Sequence, residues 1–254
     1  MNDYSTQPSL DLEDGDRGHA NLTNMSLCLQ ALLECRNSPI DTARMGIFHG
    51  FSGYGKTYAA GFTVSRTGAV YLRARRLWTE KTFLEALAHE LGVPLRRRTA
   101  ADLLNQIIEH LKRQPVDLII DEMDYLADKG LVETIRDIHD DTRIAVLMIG
   151  EEALPAKLQR WERFDNRIVT TFAAQPATVD DARKLRDHYR HRVDIADDLV
   201  ELIRQRCKGV TRRIVGNLDE VSKTGRRDGV TVIDAKWWGN RPIRTGEFVT
   251  RKAV

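Results

Sequence analysis

The sequence predicts an α/β fold: a parallel five-stranded sheet flanked by helices, followed by a small helical domain. Three observations predict it. Short apolar runs of strand type alternate with helical stretches as far as Phe172, the mark of parallel βαβ units. A glycine-rich octapeptide, Gly50-Phe51-Ser52-Gly53-Tyr54-Gly55-Lys56-Thr57, separates the first strand from the helix after it. Beyond Gln175-Pro176 the pattern turns wholly helical.

At 254 residues the chain can bury a full core. Its balance of 30% charged and 42% hydrophobic residues is that of a soluble globular protein. No apolar run approaches the roughly 20 residues of a spanning helix. The polar, acidic start, MNDYSTQPSLDLEDGD, is unlike a secretory signal. A cytoplasmic protein with no membrane partner is therefore expected. Cys28, Cys35 and Cys207 form no CxxC pair and read as buried apolar thiols, without catalysis or metal. Charge is uneven: residues 1–20 hold five acids against Arg17, and residues 222–254 hold eight bases against three acids.

In order along the chain, residues 1–20 lack periodicity and read as a mobile acidic segment. Asn21 to Arg36 reads as a helix from the spacing of Leu22, Met25, Leu29, Leu32 and Leu33, with Thr23 or Asn24 as its cap. Arg44 to His49 is a first strand, and Gly68 to Arg73 a second. Helical patterns cover Trp78 to Leu91 and Ala100 to Lys112. Val116 to Asp121 and Arg143 to Ile149 are buried-type strands around a helix at Gly130 to His139, and Arg167 to Phe172 is a fifth strand. These elements assign residues 21–176 to an α/β domain. Helices over Val179 to His191, Ile195 to Cys207 and Thr211 to Lys223 assign residues 177–224 to a small helical domain, leaving 225–254 as a basic tail.

The octapeptide fits the P-loop pattern in full, between strand and helix. Gly50, Gly53 and Gly55 let backbone N–H groups turn inward around Phe51, Ser52 and Tyr54, and the helix terminus adds positive potential for phosphates. Lys56 would reach the β and γ phosphates of ATP, and Thr57 would offer its hydroxyl to Mg²⁺. About 60 residues later an apolar strand closes on Asp121 and Glu122. Asp121 would hold the metal, and Glu122 would polarise water for in-line attack. Two surface acids closing a strand are the alternative.

These motifs, with the helix before and the helices after, resemble the AAA+ ATPases across residues 21–224. More narrowly the chain resembles the ATPase subunits of DNA transposition, the phage Mu B, TnsC and TniB group. The resemblance implies a P-loop AAA+ domain with a helical lid, and ATP-driven assembly of a homo-oligomer, ring or helical filament. An arginine from the neighbouring subunit would then stabilise charge on the γ phosphate. Arg163, in Arg160-Trp161-Glu162-Arg163-Phe164, fits that position; the alternative is a surface ion pair with Glu162 or Asp165. Arg212 fits the lid arginine that senses nucleotide, with Arg213 as its substitute. One departure stands out: the fourth strand ends at Gly150, where the superfamily places a polar residue.

Mu B carries a separate DNA-binding domain, whereas about 20 residues precede the first helix here. Double-stranded DNA would therefore meet the ATPase domain itself. Arg73, Arg75 and Arg76 after the second strand, and Arg96, Arg97 and Arg98 in the loop between helices, are the candidate phosphate contacts. Solvated surface charge is the alternative. Trp237 and Trp238 beside Arg241 and Arg244 read either as a docking motif or as packing of the tail. Three functions follow: an ATP-dependent DNA-binding ATPase that selects transposition target DNA and activates a transposase; a replication helicase loader or initiator; or a nucleotide-gated signalling or defence ATPase without DNA.

Overall fold

The structure, a computed structural model, describes residues 20–94, 99–189 and 193–246. Arg96, Arg97 and Arg98 lie outside these residues, so their DNA-contact assignment has no structural counterpart here. Among the described residues the chain divides into two compact units, Thr23–Pro176 and, with residues 20–22, residues 177–246.

The first unit opens with α1 (Thr23–Asn37) and β1 (Met45–His49). Next come α2 (Lys56–Thr67), β2 (Val70–Arg73), α3 (Glu80–Glu90), α4 (Ala100–Arg113) and β3 (Leu118–Asp121). Short α5 (Asp124–Ala127) leads to α6 (Val132–Thr142) and β4 (Val146–Gly150). Finally α7 (Leu154–Leu158) and α8 (Glu162–Asp165) precede β5 (Ile168–Ala173). The strands form one parallel sheet in the order β2-β3-β4-β1-β5.

Sequence pattern follows position in this sheet. Every residue of β3 and β4 is buried, because helices cover both faces of the interior strands. The edge strand β5 alternates half-buried and exposed residues, the pattern of a strand with one face open. Leu118, Ile120, Val146 and Met148 from the strands pack with Phe83, Leu87, Leu103, Ile107, Ile135 and Leu154 from the helices. Fully burying each such side chain contributes about 1.5–3 kcal/mol. Local signals set the helix starts: Thr79 and Thr82 form a reciprocal capping box on α3, and Thr99 accepts from Asp102 N–H at the start of α4.

α1 departs from expectation. Asn24 is the second residue of the helix, and its buried carboxamide is engaged elsewhere rather than capping it.

The second unit contains α9 (Val179–His188), β6 (Asp194–Ile195), α10 (Asp197–Arg206), α11 (Thr211–Arg227), β7 (Val232–Ile233) and α12 (Ala235–Trp238). It is not wholly helical: β6 and β7 pair in parallel. Two-residue strands are too short to show alternation. Helix α11 runs four residues beyond Lys223, since Val221, Ser222, Thr224 and Gly225 are buried. Gly225 sits where a Cβ would come within 2.3 Å of Ile233. Asn217 then pins the following segment, donating to Arg244 O at 3.0 Å and accepting from Arg244 N–H at 2.8 Å. Of the two readings of the tryptophans, packing describes this unit: Trp238 is buried, and the Arg241 guanidinium lies 4.2 Å from the Trp237 ring centroid.

Candidate nucleotide site

At the carboxyl end of β1 the chain turns through Gly50, Gly53 and Gly55, with φ of +154°, +87° and +83°. L side chains rarely adopt these values. At Gly50 a Cβ would also lie 2.9 Å from that of Ala174, so the loop starts pressed against the segment leaving β5. Ala174 N–H donates to His49 O at 2.7 Å, locking the two together. Lys56 opens α2, and its ammonium donates to Gly50 O at 2.5 Å and Phe51 O at 3.0 Å. Burial lowers the Lys56 pKa, opposed by the charges of Asp121, Glu122, Glu151 and Asp124. Phe51 and Ser52 are exposed, and Tyr54 meets Phe51 edge to face.

The fold brings the second half of the site to this loop. Thr57 donates its hydroxyl to Asp121 Oδ2 at 2.9 Å, across 64 residues of sequence. Tyr71 donates to the same oxygen at 2.9 Å, and Asp121 Oδ1 accepts the Glu122 N–H at 2.8 Å. Burial and the adjacent Asp121 charge raise the Tyr71 pKa, so the phenol stays a proton donor. Glu122 has φ of +56°, a conformation a side-chain-bearing residue rarely adopts. Its carboxylate pairs with Arg73, Nη2 to Oε1 3.1 Å.

The region also holds groups that the sequence reading missed. Tyr71 carries no motif; only the pairing of β2 with β3 places it beside Asp121. Asp124, buried, accepts from Glu151 N–H at 2.7 Å and pairs with Lys157 at 3.2 Å. It fills the space behind Gly150, where a Cβ would come within 2.3 Å of its Oδ2. That contact accounts for glycine at the end of β4. His49, the last residue of β1, has a lowered pKa through burial, and its buried Nδ1 has no hydrogen-bond partner among the described residues. The cysteines are free and buried, and burial pushes the Cys28 and Cys35 thiols to about 12.

Oxygen donors at Thr57 and Asp121 fit a hard divalent cation such as Mg²⁺. The glycine cradle at the head of α2 fits a polyphosphate. When bound, magnesium-ATP would supply the phosphoryl group and the charge that Lys56 and the metal offset.

Residues 40–158 match a protein family described as an AAA domain. The fold is the α/β P-loop AAA+ fold. In solved structures, the AAA+ fold here is similar to the Aeropyrum pernix ORC2 protein in ADPNP–ADP complexes, at TM-score 0.66 and 16% identity over 84% of this chain and 65% of that one. It is similar to CDC6P from Pyrobaculum aerophilum at TM-score 0.67 and 19% identity, over 89% and 66%. The Aeropyrum pernix ORC1 protein in complex with DNA gives TM-score 0.60 and 18% identity, over 81% and 60%. The chain thus spans less than two thirds of the length of these proteins. No curated protein matches the sequence.

The other candidate residues fall in three places. Arg75 and Arg76 are exposed on a turn after β2, closed by Trp78 N–H to Arg75 O at 3.0 Å. Arg163 is exposed on α8 and pairs with neither Glu162 nor Asp165; among the described residues it is Arg167 that forms an ion pair in this stretch, to Asp140 at 2.9 Å. Arg212 is exposed in the first turn of α11, in the second unit. No helix among the described residues is long and apolar enough to cross a membrane.

Proposed function

We propose that the protein is an ATP- and Mg²⁺-dependent, DNA-binding AAA+ ATPase of the origin-initiator or helicase-loader type, acting as a homo-oligomer on double-stranded DNA. Lys56, Thr57 and the remaining P-loop residues hold the nucleotide, Asp121 the metal, and Glu122 the attacking water. Arg163 serves the neighbouring subunit's site, and Arg212 senses nucleotide.

The observation that carries this reading is a shared sheet edge. Ala74 N–H donates to Asp121 O at 2.8 Å, so the turn bearing Arg75 and Arg76 starts beside the carboxylate assigned to the metal. A contact to DNA phosphates there would act directly on the nucleotide site. Similarity to ORC and CDC6 folds, one of them in complex with DNA, supports the initiator reading. Target selection for transposition and a transposase partner have no such support, and the initiator alternative replaces them.

The test is filter binding of duplex DNA over a salt series with ATP and with ADP. Wild type binds with ATP irrespective of sequence, and its affinity falls steeply with salt. Alanine at Arg75 and Arg76 weakens binding on all sequences and reduces the salt slope by about one per lost phosphate contact. Equal binding in either nucleotide, or none at low salt, favours the signalling reading.

A further inference from the structure

Asn24 is one of the few polar side chains buried in the first unit, at 7% exposure. Its carboxamide makes three hydrogen bonds, all to backbone far away in sequence. Nδ2 donates to Tyr54 O and to Gln175 O, each at 2.8 Å, while Oδ1 accepts the Gln175 N–H at 2.8 Å. Two carbonyls on one side and an N–H on the other also settle which end of the amide is nitrogen.

The consequence lies in the peptide after Tyr54. A trans peptide directs its N–H opposite to its C=O, and no peptide among the described residues is cis. With the Tyr54 carbonyl held toward α1, the Gly55 N–H must point away from α1. Gly55 is the residue before Lys56, at φ of +83°, and with no Cβ it does little by itself to fix the orientation of this peptide. The same amide holds Gln175, next to the Ala174 that packs on Gly50. One side chain thus joins the crest of the P-loop to the segment that braces its start.

We propose that Asn24 is a positioning residue for the nucleotide: it fixes the Tyr54–Gly55 peptide so that the Gly55 N–H faces the phosphates, ahead of binding. The proposal rests on the assignment of residues 50–57 as an ATP site. Asn24→Asp keeps the size and the acceptor toward Gln175 but sets a carboxylate against two carbonyl oxygens. Asn24→Ala removes all three bonds.

The experiment measures dissociation constants of fluorescent ATP and ADP, together with melting temperature without nucleotide. Wild type, both Asn24 variants and Arg36→Ala are compared. Arg36 lies on the same helix and pairs with Asp117 at 2.5 Å, which makes it a control for loosening α1. Both Asn24 variants are expected to raise both dissociation constants about tenfold, the effect of losing one oriented phosphate donor. Arg36→Ala lowers the melting temperature and leaves affinity within twofold. Asn24→Asp that melts lower yet binds as wild type overturns the proposal, as does an equal loss of affinity in Arg36→Ala. If Asn24→Ala does not fold, Asn24→Asp decides alone. Wild type that binds neither nucleotide overturns the ATP-site assignment itself, and with it the proposal.

Discussion

Arg73 Nη2 lies 3.1 Å from Glu122 Oε1, so a candidate DNA-contact arginine holds the carboxylate assigned to activating water. Both side chains retain access to solvent, so the pair adds little to stability. Its effect falls on chemistry: a carboxylate held by a guanidinium points away from other partners, water included. DNA phosphates would compete with Glu122 for the same guanidinium. Arg73→Ala should therefore raise ATP turnover without DNA severalfold and abolish further stimulation by DNA, with an unchanged melting temperature. Steady-state hydrolysis with and without duplex DNA measures this; a slower enzyme that DNA still stimulates would refute the competition.

Lys56 and Glu122 should separate binding from hydrolysis. Lys56→Ala removes the ammonium at the loop, and nucleotide binding by calorimetry should fall below detection. Glu122→Gln keeps the shape but cannot take a proton, so ATP should bind normally while turnover drops by about 10²–10⁴. Wild-type turnover in Glu122→Gln would remove it from the role of base.

Gly150→Ala tests the packing behind the loop. Its Cβ would meet Asp124 Oδ2 at 2.3 Å and a Leu154 methyl at 2.6 Å, with neither side chain free to retreat into solvent. Overpacking of this kind destabilises by about 1–3 kcal/mol in urea unfolding. Adding Asp124→Ala should recover part of the loss, and no recovery would place the strain elsewhere.

Arg163 should act between subunits. Neither Arg163→Ala nor Lys56→Ala should turn over alone. Mixed and co-assembled, they should regain hydrolysis at interfaces that keep one intact site. A mixture that assembles without regaining turnover would make Arg163 a local surface residue.

Acid stability of the second unit should depend on Glu201. Its carboxyl is lowered from 4.5 to about 2 by the hydrogen bond to Arg204, with burial opposing and Gln205 assisting. A depressed carboxylate stabilises the fold above the unfolded pKa, and that stability fades as pH falls from 4.5 toward 2. Glu201→Gln should flatten the loss of stability in that window. An unaltered acid limb would show that Arg204 does not hold Glu201 in solution.

The five strands, the P-loop and the acids closing β3 were legible in sequence because each is a local pattern. Buried parallel strands read as unbroken apolar runs, and the octapeptide needs its glycines at fixed spacing wherever it occurs. Position in the sheet was not legible: nothing in residues 45–49 tells that β4, a hundred residues on, inserts between β1 and β3. That order brings Tyr71 and Thr57 to one oxygen of Asp121, sets Arg73 on Glu122 and puts Asp124 behind Gly150. Asn24 makes the same point. By residue type it was one of two candidate helix caps, with Thr23, since asparagine bonds backbone N–H groups near it in sequence. Only the folded chain offered it Tyr54 and Gln175, 30 and 151 residues away. Sequence determined which groups this protein carries, because propensity and spacing act over a few residues. Tertiary structure decided which of them meet, because a hydrogen bond depends on distance in space and not along the chain.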